Sequence, residues 1–259
     1  MIIPMVRYGS AMRNMPKFDY TGAKPLFFSD EDGNWELVFL TSCAVTFSKL
    51  PGPVEAFLVG GGGKGGDGAH ETIYGQGALQ NADKATGGDG GAGGNLVTAG
   101  VSLTPGVSYH VTVGQSGTSA SAFGLTAAAG ARANGAKGAI AYLGNPGASR
   151  QPAGAAGDGA LAFGTGGTLY EQSLGHPVKF GPGGGGGSAW SYTMYGDTAA
   201  PSSGGETGGG DGGNSTVGSP GAANTGAGGG GGAAAGDGGK QGGLGGSGIV
   251  ILRNVRSNT

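Results

Sequence analysis

Residues 236–253 read GDGGKQGGLGGSGIVILR, and two signals in that stretch decide the fold. Gly236, Gly239, Gly242, Gly245 and Gly248 recur at a strict spacing of three. The run Gly248–Arg253 then places four aliphatic residues in a row, the length and composition of a buried β-strand. A three-residue phase matches the polyproline II helix, which has three residues per turn and no internal hydrogen bonds. With Gly on its contacting faces, such a helix lets backbones approach, so that N–H and C=O groups pair between neighbours. The same phase recurs at 62–67 (GGK-GGD), 87–95 (GGD-GGA-GGN) and 209–214 (GGD-GGN).

Working outward, the chain holds 66 Gly in 259 residues, unevenly placed: residues 1–59 contain 4, residues 204–248 contain 23. Ordering 66 glycines costs on the order of 30–65 kcal/mol relative to Ala, several times the net stability of a domain. The blocks are therefore either flexible or built where no Cβ fits. A flexible linker has no reason to keep phase, so packed polyglycine II-like helices are expected.

Strand signals lie outside the densest blocks: Trp35–Leu40, Ala44–Ser48, Val54–Val59, Asn95–Leu103 and Val107–Val113. The last of these alternates Val, Tyr, Val and Val with Ser, His and Thr, a half-buried strand. After it, the next strong strand is Gly248–Arg253, which must pair with the early ones. The expected fold class is mainly β: a small antiparallel β-sandwich base closed by the last strand, with Gly-rich polyglycine II-like insertions and little or no α-helix. The domain reading is 1–32 as a leader or attachment segment, 33–113 plus 246–254 as the base, and 60–94 and 114–245 as the Gly-rich body. Trp35, Phe39, Phe47 and Phe57 are assigned to the core.

Composition excludes several function classes. A net charge of −2 offers no footprint for nucleic acid. Neither a signal-peptide h-region nor an apolar stretch of transmembrane length is present, so no membrane insertion is expected. Cys43 is the one cysteine, which excludes a disulfide framework and a Cys-based zinc site. VEAFLVGGGGKGG lacks the P-loop spacing, because Gly65 follows Lys64 and Leu58 stands where the first Gly is required. GGAGGNL (90–96) departs from the calcium β-roll repeat, with Asn95 in place of Asp and a single copy. His70, His110 and His176 have no metal-ligand spacing. The expectation is no catalysis, no metal and no cofactor.

The remaining candidates are aromatic islands between Gly tracts. Trp190, Tyr192 and Tyr195 fall in SAWSYTMYGD after GPGGGGGS (181–188); Tyr170 and His176 precede that tract, and Tyr74 follows the first Gly block. Aromatics among small polar neighbours have the composition of adaptable binding loops. The alternative is that each ring plugs its own scaffold.

WELVFLTS, VTFSKLPGPVEAFLVGGGGKGG, LTPGVSYHVTVGQSG, FGPGGGGG and GGSGIVILRN together resemble the Gly-rich tail-fibre, or receptor-binding, proteins of phages and prophages of gut Clostridia. By architecture the chain is also similar to the tip adhesins of T-even-type phages. The resemblance implies a virion adhesin whose loops bind a host cell-surface glycan or protein, with other tail or capsid proteins as partners. It leaves the oligomeric state open, a homotrimer included. A structural virion protein without a ligand, and an ice-binding protein with a flat Thr- or Ala-repeating face, are the rival readings.

Overall fold

The structure is a computed structural model that describes residues 15–73, 82–133, 140–142, 158–164, 167–190, 198–199, 203–204, 208–235 and 238–255. In chain order the first strands are β1 (Lys17–Gly22), β2 (Leu26–Ser29), β3 (Trp35–Phe39), β4 (Cys43–Lys49) and β5 (Val54–Val59). They are followed by β6 (Ala69–Ile73), β7 (Ala82–Thr86), β8 (Leu96–Val101), β9 (Ser108–Val111), β10 (Ala120–Ala122), β11 (Leu125–Ala127), β12 (Ile140–Tyr142) and β13 (Ala160–Leu161). The last third contains helix α1 (Leu169–Leu174) and strands β14 (Lys179–Phe180), β15 (Ala189–Trp190), β16 (Thr198–Ala199), β17 (Ala234–Ala235), β18 (Gly238–Gly239) and β19 (Ile249–Asn254).

The base is an antiparallel sandwich. One layer has the order β2-β3-β19-β5-β8, and the other β1-β4-β9, extended by the β10–β11 hairpin through a Thr112–Ser121 bridge. The C-terminal strand lies in the middle of the larger sheet, with Ile251 opposite Val38 on one side and Phe57 on the other. Its unbroken aliphatic run has a direct cause. Val250 and Leu252 enter the core between the layers, while Ile249 and Ile251 enter a second core on the opposite face, under α1, Val178 and Phe180. A strand buried on both faces does not alternate. Trp35, Phe39, Phe47 and Phe57 are core residues, as expected.

Two differences from the sequence reading concern the base. Residues 17–29, expected in a leader, supply β1 and β2, which pair with β4 and β3. These strands are largely exposed edges, so their residues carry little apolar signal. The β10–β11 hairpin was also not expected. Its buried residues are Ala120, Ala122 and Ala127, small side chains without β-branching.

Among the described residues the Gly-rich body contains eight extended rods whose hydrogen bonds repeat every third residue: I (60–68), II (87–95), III (128–133), IV (181–188), V (208–213), VI (215–222), VII (226–233) and VIII (240–248). Rod VII is central and buried along its whole length. It donates from Gly228 and Gly231 to Pro182 and Gly185 of rod IV, from Gly229 and Gly232 to Gly63 and Gly66 of rod I, and from Gly230 and Ala233 to Ser219 and Thr216 of rod VI. It accepts from Gly88, Gly91 and Gly94 of rod II, from Gly210 and Gly213 of rod V, and from Lys240, Gly243 and Gly246 of rod VIII.

The six neighbours also bond to one another. Gly63 donates to Ala92 (rods I and II), Gly184 to Gly91 (IV and II), Gly185 to Gly210 (IV and V), Ser219 to Asp211 (VI and V), Gly221 to Leu244 (VI and VIII) and Gly62 to Gly246 (I and VIII). A closed ring of six rods thus surrounds the seventh, with donor and acceptor neighbours alternating around it. Every backbone N–H from Gly226 to Ala233 has a partner, that of Ala227 being the Thr225 hydroxyl. Rod III docks outside on rods I and II, through Gly130 to Gly61 and Ala92 to Ala131.

This packing explains where Gly is obligatory. In rod II, a Cβ on Gly87, Gly90 or Gly93 would strike carbonyls of rod IV and its flank. A Cβ on Gly88, Gly91 or Gly94 would strike rod I. The third face carries Asp89, Ala92 and Asn95, the non-glycine letters of GGD-GGA-GGN. Gly239, just before rod VIII, and Gly242, Gly245 and Gly248 within it, spaced by three, all face rod I or its junction with β5. Gln241, Leu244 and Ser247 occupy the outer face. Rod VII is covered on all three faces, so it holds nothing larger than Ala.

The sheet sets the first row of this lattice. Strands β19, β5 and β8 are neighbours, and they continue directly into rods VIII, I and II, which are neighbours in the same order. Non-glycine left-handed residues mark the turns between rods: Ser215 (φ 58°) joins V to VI, and Asn224 (φ 62°) joins VI to VII.

One outer face carries charge. Lys64 and Asp67, three residues apart on rod I, form a 3.1 Å ion pair, with Arg132 of rod III at 3.6 Å from the same carboxylate. Asp67 Oδ1 also accepts from the Gly242 N–H at 2.9 Å. That backbone bond, with Lys64 and Arg132, holds the carboxyl below its ordinary value of 3.8 despite some desolvation. A depressed carboxyl contributes stability above the unfolded-state value and loses it as the pH falls through the folded value. The melting temperature of Asp67→Asn should therefore lie below that of the parent at neutral pH. The gap should close as the solution is acidified below the ordinary carboxylate range; a gap independent of pH would refute the pairing.

Candidate functional site

Of the six aromatic and histidine candidates, the described ones, Trp190 on one side and Tyr170 and His176 on the other, fall at opposite ends of the lattice. Rod I leaves the base at Val59 and runs into β6; rod II returns from β7. At about 3.1 Å per residue, rod I carries the chain about 28 Å from the sandwich. Rod IV likewise runs into β15, and rod VII into β17. Here lie two small sheets, ordered β12-β7-β6 and β16-β15-β17-β18, in mutual contact. They form the tip.

Trp190 sits in this tip, in β15, paired with Thr198 of β16. Tyr192 and Tyr195 fall within 191–197, and Tyr74 within 74–81; both segments lie outside the described residues. The strands that flank them, β15 with β16 and β6 with β7, belong to the tip.

Tyr170 and His176 are at the base. Thr168 caps α1: its hydroxyl accepts from the Glu171 N–H at 3.0 Å, and the Glu171 carboxylate accepts from the Thr168 N–H at 2.9 Å. Glu171 reaches further, accepting from the Val178 N–H at 2.9 Å, while Gly175 ends the helix at φ 77°. From the sheet below, buried Glu36 accepts from the Tyr170 N–H at 3.0 Å. Glu171 thus ties α1 to the segment after it, and Glu36 ties α1 to strand β3. The signal was present in TLYE (168–171), a Thr-x-x-Glu capping box.

Tyr170 is 9% exposed, its ring 6.1 Å from that of Phe28, and burial pushes its phenol up. It is a packing residue of the base with one edge on a groove, not a ring displayed on a loop. The groove has a volume of about 320 Å³ and runs between α1 and the base ends of rods V to VII. Leu174, Val178, Ala222 and Ala223 give it apolar walls; His176, exposed, stands at its rim. Sequence reasoning had no access to Ala222, Ala223, Asn224 and Thr225, which reach the groove only because rods VI and VII turn beneath α1.

Cys43 lies in β4, partly buried, where desolvation pushes its thiol up, the opposite of an activated nucleophile. His110 is on the exposed face of β9. Among the described residues no helix is long and apolar enough to cross a membrane. No protein-family model, no curated protein and no solved structure matches the chain.

Proposed function

We propose that the protein is a virion adhesin that holds receptor-binding loops at the end of a backbone-bonded lattice. The observation that carries this reading is the tip. The rods bring β6, β7, β12 and β15 to β18 to one end, about 28 Å from the sandwich, and Tyr74, Trp190, Tyr192 and Tyr195 belong to the segments attached there. A scaffold whose hydrogen bonds run between main chains leaves the side chains of those segments free to vary. The mechanism is binding without turnover.

Three of the outer rod faces speak against ice binding. Those of rods I, II and VIII carry Lys64 and Asp67, then Asp89, Ala92 and Asn95, then Gln241, Leu244 and Ser247, with no Thr or Ala repeated in register on these three.

The test replaces Trp190, Tyr192 and Tyr195 together with Ser and follows melting and the binding of labelled protein to clostridial cells. Aromatic hot spots cost about 2 kcal/mol or more when truncated, so cell binding should fall at least about thirtyfold at unchanged melting. Undiminished binding removes this island from the site. Lost folding identifies the rings as plugs.

A further inference from the structure

We infer that the groove between α1 and the base ends of rods VI and VII binds the acetamido group of a neutral N-acetylhexosamine. Its role as a second contact of an adhesin rests on the function proposed above; its chemistry does not. The volume, about 320 Å³, is at the lower end of small-molecule sites. No charged side chain lines it, which favours a neutral occupant.

On the rod side the Thr225 hydroxyl and the Asn224 side-chain oxygen are engaged, which leaves the Asn224 side-chain amide as a donor. The Thr225 hydroxyl donates to the Ala222 carbonyl at 2.8 Å and accepts from the Ala227 N–H at 3.2 Å. The Asn224 side-chain oxygen accepts from the Ser247 hydroxyl at 3.2 Å. Two groups on the α1 side are different. Tyr170 lines the groove, and among the described residues its hydroxyl has no hydrogen-bond partner. His176 Nδ1 lies 3.1 Å from the Pro177 carbonyl, which can only accept. In the neutral imidazole that contact assigns the ring proton to Nδ1 and leaves Nε2 as an acceptor. The groove therefore combines small apolar walls with one hydroxyl, one side-chain amide donor and one acceptor nitrogen. An acetamido group matches that set: a methyl for the walls, a carbonyl for Tyr170 or the Asn224 amide, and an N–H for His176.

The experiment titrates the full chain with N-acetylglucosamine and with glucose, following backbone amide resonances. N-acetylglucosamine should give saturable shifts at 174–178 and 222–225, at least about tenfold tighter than glucose. Tyr170→Phe should weaken binding about tenfold, the loss of one hydrogen bond, with melting unchanged. Ala223→Leu, at an exposed position, should fill the groove and abolish binding. No saturable shift at these residues, equal binding of glucose, or undiminished binding in Ala223→Leu overturns the proposal. Cell binding by the Trp190, Tyr192 and Tyr195 variant is read separately. Sugar binding in the groove of a protein that ignores cells leaves this proposal standing and sinks the adhesin.

Discussion

Replacing Gly230 with Ala should prevent the lattice from forming. The added methyl would stand less than 3.0 Å from the Asp211 carbonyl of rod V, a contact made with backbone and not with a movable side chain. Relief requires rods V and VII to separate. Gly230 then loses its bond to Ser219, Gly243 loses its bond to Gly230, and Gly210 and Gly213 lose theirs to rod VII. Each buried group left unpaired costs about 1–3 kcal/mol, so a handful of them approaches the whole stability of a domain. Circular dichroism, melting and amide exchange of rod VII against its neighbours check this. The control is Ala92→Ser, on the exposed face of rod II, which should change stability by no more than about 0.5 kcal/mol. A Gly230→Ala protein that melts like the parent and protects the same amides would show that the rods are filler.

Removing residues 249–259 should abolish folding altogether. The loss is larger than an opened edge, because β19 is the middle strand of its sheet. Without it β3 and β5 have no partner between them. Ile249, Val250, Ile251 and Leu252 are each fully buried, and such side chains contribute about 1.5–3 kcal/mol apiece. Together they amount to about 6–12 kcal/mol, the scale of the net stability. The point variant Ile251→Asp places a carboxylate against Phe57 and Phe180 and should be insoluble on its own account. Leu244→Asp, on the outer face of rod VIII, should be tolerated. A soluble, cooperatively melting truncation would overturn the assignment.

The sequence carried the lattice further than the base. The three-residue phase survives in the letters because one uncovered face of each outer rod keeps its side chains, as Asp89, Ala92 and Asn95 do. Strands β5 and β19 were legible because burial on two faces forces continuous apolar runs. Strands β1 and β2 were not, since exposed edges such as KFDYTG need no hydrophobic pattern, and β10 was hidden by the smallness of Ala120 and Ala122. The candidate site was legible only as a composition. Tyr170 and His176 looked like companions of Trp190, yet they occupy the other end of rod IV, a separation that depends on which rods meet and not on distance along the chain.

The one-in-three rule has a consequence for how such a chain can change length. Adding one residue inside a rod turns everything after it by a third of a revolution, about 120°. In rod VIII that would swing Leu244 from solvent onto rod I or rod VI, where a Cβ meets a carbonyl. Two extra residues do the same in the other direction. Three restore the facing and only lengthen the rod by about 9 Å. Gains and losses within the rods are therefore confined to triplets of residues, in as many rods as must stay level. The segments joining them at the tip carry no such arithmetic and are free to vary by any number.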